Sequence, residues 1–184
     1  MSNRYEDVVN ELSEVFTRID DMAVDSAVRM IGDAKKIVVF GGGRERLQIM
    51  GFAMRLHHLG LSVAVVGDMT TPPIGPGDLF IVTVGPGEIS TALALLGVAK
   101  EAGAGILVLT ARPDGRAAEY ANFVLTVPAQ TMADDEGRAR TSVLPMGSLY
   151  EGALFVLFEV MVLKLRDSID ITPERMRANH TNLE

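Results

Sequence analysis

Glu151 opens a run, Gly152-Ala153-Leu154-Phe155-Val156-Leu157-Phe158, in which no other residue can ionise. Desolvation raises the pKa of a carboxylate in the first turns of so apolar a helix unless a cation answers it. A carboxyl placed in that way can give and take protons near neutral pH. The plainer use of a glutamate at a helix start is to favour the helix dipole. The chain also has three histidines, His57, His58 and His180, the residue type that titrates in the physiological range. His57 and His58 are neighbours beside Arg55. Residues at i and i+1 diverge on a helix and no carboxylate-rich set accompanies them, so a structural or interfacial role is expected before metal binding. His180 stands four residues from the chain end, where a histidine is by itself expected in solvent.

Two glycine loops show where a ligand would lie. A run of β-type apolar residues stops in a glycine-rich loop and restarts as a helix at Ile37-Val38-Val39-Phe40-Gly41-Gly42-Gly43-Arg44, and again at Leu79-Phe80-Ile81-Val82-Thr83-Val84-Gly85-Pro86-Gly87-Glu88. In an open α/β sheet such loops lie at the carboxyl ends of parallel strands, where backbone N–H groups and helix N-termini cradle a polar or anionic ligand. The first loop lacks the third glycine of the dinucleotide-binding G-x-G-x-x-G pattern, which argues against a nucleotide-dependent dehydrogenase.

The elements that would position these groups follow from periodicity. Residues 4–32 carry apolar side chains at helical spacing with a break at Asp20-Asp21. Strands are expected at 36–40, 62–66, 79–83, 105–110 and 123–127, with helices at about 46–59 and 90–102 and a short one at 115–121. This alternation implies right-handed βαβ crossovers and a parallel sheet, and strands apolar throughout imply cover on both faces. The polar stretch 128–145 reads as an exposed loop before a long helix at about 146–167, and Thr172-Pro173 opens a final short helix. The long helix is apolar on nearly every side, so partner subunits are the economical explanation of what covers it.

Size and charge bound the function. A chain of 184 residues with 48% hydrophobic and 22% charged residues is expected to be one globular α/β domain, residues 1–184, with C-terminal helices over about 146–180. A net charge of −7 without a basic run excludes nonspecific nucleic-acid binding. The absence of cysteine excludes disulfides, thiol nucleophiles and thiolate metal sites. Neither a signal peptide nor a membrane-spanning run is evident, and a soluble cytoplasmic protein is expected.

The order of strand, glycine loop with Arg44, helix containing Ala53-Met54-Arg55-Leu56-His57-His58-Leu59-Gly60, then Val65-Val66-Gly67-Asp68-Met69-Thr70-Thr71-Pro72, resembles the 6-phospho-3-hexuloisomerases of the sugar isomerase (SIS) domain superfamily. The resemblance runs on through Pro145-Met146-Gly147-Ser148-Leu149-Tyr150-Glu151 to the ending His180-Thr181-Asn182-Leu183-Glu184. It implies a flavodoxin-like, doubly wound five-stranded parallel sheet flanked by helices, assembled as a homotetramer. The implied activity interconverts a 3-ketose 6-phosphate and fructose 6-phosphate with no metal and no organic cofactor. By the same resemblance Glu151 is the catalytic glutamate. His180 is a tail histidine that reaches an active site formed with a neighbouring subunit, for ring opening or oxygen-to-oxygen proton transfer. Gly43, Arg44, Glu45, His58, Thr70, Thr71, Gly85, Gly87, Glu88, Ser90 and Thr91 then border the sugar.

The chain departs from that family where the phosphate is held. Members carry S-G-S-G-x-T at the second glycine loop and R-S-G at the first, whereas this chain has Val84, Pro86, Ile89 and Glu45 at the hydroxyl positions. Pro86 also removes an N–H, and Glu88 adds a carboxylate beside the loop. Weaker binding of a dianionic phosphate is expected, answered in part by Arg44, Arg46, Ser90 or Thr91. Three readings follow. One is a sugar-phosphate isomerase altered at the phosphate end, another an isomerase of a nonphosphorylated sugar or sugar acid, and the last a non-catalytic domain that senses a sugar derivative.

Overall fold

Asp20 does not merely interrupt the N-terminal helical region. Its carboxylate caps the second helix by accepting hydrogen bonds from the amides of Met22 and Ala23. The computed structural model describes residues 3–183, so Glu184, the last residue of the H-T-N-L-E ending, lies outside the described residues. Helices α1 (Arg4–Thr17) and α2 (Asp21–Asp33) lead into β1 (Ile37–Gly41), α3 (Glu45–His58), β2 (Val63–Val65) and β3 (Leu79–Thr83). Then come α4 (Ser90–Glu101), β4 (Gly105–Thr110), a 3-10 turn at Arg116–Tyr120, β5 (Phe123–Thr126), α5 (Ser148–Ser168) and α6 (Pro173–Ala178). The five strands are parallel in the order β2-β1-β3-β4-β5, and β1 and β3 stand in register from Ile37 opposite Leu79 to Gly41 opposite Thr83. The order reverses between β1 and β3. In a doubly wound sheet that switch point opens the crevice where ligands bind.

Alternation along the strands divides the core in two. Ile37, Val39, Ile81, Leu107 and Leu109 pack with α1, α2, α3 and α5, while Val38, Phe40, Phe80, Val82, Ile106 and Val108 pack with α4 and the 3-10 turn. The short edge strand β2 is only half-buried. Two expectations are corrected here. Most of the apolar surface of α5 is covered by its own chain, because Leu149, Tyr150, Ala153, Leu154, Leu157, Phe158, Met161, Val162 and Leu165 are buried under α1, α2 and α3. Phe155, Val156 and Leu163 stay exposed. The stretch 128–145 is likewise not simply an exposed loop. Gln130, Thr131 and Ser142 are buried in it, and the Gln130 side-chain carbonyl accepts from the amides of Thr141 and Ser142.

Candidate active site

The carboxyl ends of β1 and β3 place two carboxylates near one another. Glu45 forms the first turn of α3 and Glu151 the first turn of α5. The entry to α5 is set by two consecutive left-handed residues, Met146 at φ 56° and Gly147 at φ 76°. A methionine in that region is strained and persists only where its surroundings hold it. Here Asp135 accepts the Met146 amide and Arg44 donates to the Met146 carbonyl. Asp135 is itself bound by the Gln130 amide and paired with Arg140, so the polar loop after β5 fixes where α5 begins.

Glu151 is the fourth residue of α5, with a side chain 16% exposed, and its carboxylate meets the Arg44 guanidinium at 3.1 Å. Burial pushes its carboxyl above the ordinary range, opposed by the charge and hydrogen bond of Arg44. A cation therefore does answer this glutamate, and burial still outweighs it. Arg44 also donates to the Ser148 hydroxyl at 3.2 Å, which ties the first glycine loop to the helix that carries Glu151.

Glu45 is buried, not displayed toward solvent. Both of its oxygens lie 3.1 Å from the Gly85 nitrogen, and one accepts from the Thr83 hydroxyl at 2.7 Å. Burial raises its pKa, the bonds from Thr83 and Gly85 lower it, and the nearby Glu151 raises it. The hydroxyl of Tyr150, a fully buried side chain, lies 3.1 Å from that of Thr83. The Tyr150 phenol is held far above its ordinary value by burial and by the charge of Glu45. Neither Thr83 nor Tyr150 was expected at the site from sequence. The available signal was a tyrosine inside an apolar helix, whose hydroxyl must find a partner when buried.

The glycine amides of the second loop are committed. Gly85 donates to Glu45, Pro86 has no N–H, and Gly87 donates to the Val84 carbonyl at 2.9 Å. Gly87 has φ +81°, and a Cβ there would stand 2.8 Å from that of Arg112 and 3.1 Å from the Gly115 Cα. Its place is a tight approach between the loops after β3 and β4. Glu88 pairs with Arg116 at 2.8 Å, both exposed. Ser90 and Thr91 are exposed at the start of α4, whose N-cap, Ile89, offers no side-chain acceptor. Gly43 lies in the exposed first loop at φ +52°. Arg46 lies against Gly67 in the loop after β2. In that loop Thr70 is exposed, and the Thr71 hydroxyl donates within its own turn to the carbonyls of Val65 and Asp68.

The histidines gather at the other end of α3. His58 is buried in the last turn and its ring centroid lies 5.1 Å from that of His180; the Asn179 side chain donates to the His58 carbonyl at 2.9 Å. A cavity of about 540 Å³ is lined there by Met54, Arg55, His58, Met176, Arg177, His180 and Thr181. Glu45 and His58 are the first and last residues of α3. At 1.5 Å per residue the helix holds the two ends about 20 Å apart. One chain therefore does not bring Glu151 and His180 together. Among the described residues no group of three or more His, Cys, Asp or Glu could hold a metal ion, and no helix is long and apolar enough to cross a membrane.

Comparison with known proteins agrees with this architecture. The SIS domain pattern matches residues 30–156. The chain is 36% identical to a protein named 3-hexulose-6-phosphate isomerase from Methylomonas aminofaciens, over 99% of each. It is 35% identical to one of the same name from Mycobacterium gastri, over all of this chain and 92% of the relative. A crystal structure of a hypothetical protein from Methanococcus jannaschii, whose description infers a molecular function of 3-hexulose-6-phosphate isomerase, superposes with a TM-score of 0.85. It shares 26% identity, with 98% of this chain and 99% of that one covered. With the sheet order, the glycine loops and Glu151 at the head of α5 all in place, the chain belongs to the SIS domain family, within its group of sugar-phosphate isomerases.

Proposed function

We propose that this chain is a ketose isomerase of the 3-hexulose-6-phosphate isomerase type, which moves a carbonyl between C3 and C2 through an enediol in the cytoplasm. The observation that carries this reading is the carboxylate of Glu151, largely buried at the switch point of the sheet, raised in pKa by that burial and answered by Arg44. Such a group takes the proton from C2 of the 3-ketose as the C3 carbonyl oxygen gains one. The enediol then loses its C2 hydroxyl proton and receives a proton on C3, so atoms and charge balance and no cofactor is required. Names carried by the full-length relatives support the same chemistry.

In this reading His180, backed by His58, serves a site in which Glu151 belongs to another chain. Two observations support a shared site. The first is the separation of about 20 Å along α3. The second is a shared apolar face, on which Leu47, Met50 and Met54 of α3 lie exposed, as do Phe155 and Leu163 of α5. A homo-oligomer, with a tetramer in first place, covers that face and joins the two halves.

The reaction can be followed from the 2-ketose side. In deuterium oxide the protein is expected to wash solvent deuterium into C3 of fructose 6-phosphate or fructose, read by NMR. Glu151→Gln keeps the fold and lowers that rate by roughly two to four orders of magnitude, because an amide cannot accept the carbon-bound proton. No incorporation by the unaltered protein with either ketose, or an unchanged rate in Glu151→Gln, overturns the reading.

A further inference from the structure

The Gly85 amide points at an oxyanion, and that oxyanion belongs to the chain itself. Both oxygens of Glu45 lie 3.1 Å from this nitrogen, and the Thr83 hydroxyl donates to the same carboxylate at 2.7 Å. The loop after β3 is thus a working anion acceptor by its own geometry. We infer that Glu45 is a specificity-determining residue, whose carboxylate fills the anion seat on Gly85 so that the sugar end lying against this loop is an uncharged hydroxyl and not a phosphate. The inference rests on the isomerase reading for the identity of the ligand, a sugar, but concerns its far end and not C2 and C3.

At Gly85 and the two residues after it a phosphate finds no free donor, and what the loop offers beyond them is the exposed Ser90 and Thr91 at the start of α4. Pro86 has no N–H and the Gly87 amide is turned to the Val84 carbonyl. The nearby cations each have a contact already: Arg44 faces Glu151, Arg112 faces Asp134, Arg116 faces the loop's own Glu88, and Arg46 lies against Gly67. A dianion would have to displace a buried carboxylate or settle beside it. Like charges that close are strongly unfavourable, whereas a hydroxyl can donate to a carboxylate. Tyr150 and the absence of a side chain at Gly85 keep the seat closed, since a Cβ at Gly85 would lie 2.9 Å from both Glu45 Oε1 and the Tyr150 ring.

The test is calorimetric titration of the full-length protein and of Glu45→Ser with fructose 6-phosphate and with fructose. Emptying the seat is expected to tighten fructose 6-phosphate by about tenfold or more and to leave fructose no tighter, or weaker, because its hydroxyl loses the carboxylate acceptor. If Glu45→Ser fails to fold, Glu45→Gln, which keeps the seat occupied and removes only the charge, is expected to tighten fructose 6-phosphate by a smaller factor and to leave fructose no tighter. Equal or weaker binding of fructose 6-phosphate by the folded variant overturns the inference, as does an equal gain for fructose. Turnover does not enter this comparison. A protein that exchanges no deuterium yet shows the expected binding change loses the isomerase reading and keeps the role of Glu45.

Discussion

Arg44 has three partners in one reach, the carboxylate of Glu151, the backbone of Met146 and the hydroxyl of Ser148, and its loss should be felt in protonation before it is felt in folding. Replacing it by methionine removes the attraction that holds the Glu151 pKa down while the burial that raises it stays. A general base works only when deprotonated. The acidic limb of the kcat/KM profile of Arg44→Met is therefore expected to move to higher pH, with the alkaline limb in place. An unmoved acidic limb, measured on whichever ketose is turned over, would mean that Arg44 does not govern the titration of Glu151. At this scale the sequence was informative about Glu151, because a lone ionisable residue heading an apolar helix is a local pattern. It was silent on the partner of Glu45. The carboxylate and the Gly85 amide are 40 residues apart, and only the register of β1 beside β3 makes them neighbours. Glu45 therefore reads from sequence as a charge facing the ligand, and in the structure it is spent inside the loop. Glu88, by contrast, stays exposed and pairs with Arg116 at the surface.

Among the elements, the loops after β3 and β4 meet at a point with no room for a side chain. The left-handed Gly87 and its contact with Gly115 make Gly87→Ala a strain of both backbone and packing. A loss of about 1–3 kcal/mol is expected, seen as a lower urea midpoint at unchanged slope. Strands and helices were legible because each has its own period. All five strands fall within a residue or two of their expected bounds, and the apolar runs do lie between two layers of helices. The length of α5 was equally plain, but not what surrounds it. An all-round apolar helix tells that several neighbours exist and not whose they are. Here α1 and α2, the least conspicuous segments of the sequence, turn out to supply most of its cover. The stacked rings of Phe52 and Phe158, with centroids 4.3 Å apart, join α3 to its other flank.

For the molecule as a whole, what stays uncovered is narrower than the sequence implied and more specific. The residual face on α3 and α5 is crossed by a two-pronged ion pair, Arg55 to Glu159 at 3.0 and 3.1 Å. Such a half-exposed pair adds little stability by itself but imposes orientation on whatever packs there. Phe155→Asp is expected to dissociate the proposed homo-oligomer, lowering the sedimentation coefficient at micromolar concentration while circular dichroism stays native. A pairing experiment asks whether the two halves of the site are shared. Glu151→Gln and His180→Ala subunits, each inactive, are expected to recover part of the activity when unfolded and refolded together, because some sites then hold both intact groups. Mixed assemblies as inactive as the separate variants would mean that the two residues do not serve one site.

The order in which the chain is made has a consequence of its own. Glu11 on α1 accepts the Ser142 hydroxyl and the Val143 amide, 131 and 132 residues later, and α1 and α2 pack chiefly on α5. A ribosome adding about 5–20 residues per second needs on the order of ten seconds to cover that interval. For most of it the first two helices have been synthesised and the helix that covers them has not. Val15, Val24, Ala27 and Ile31, all buried in the finished protein, must wait in water or in the grip of a chaperone until the last long helix leaves the exit tunnel.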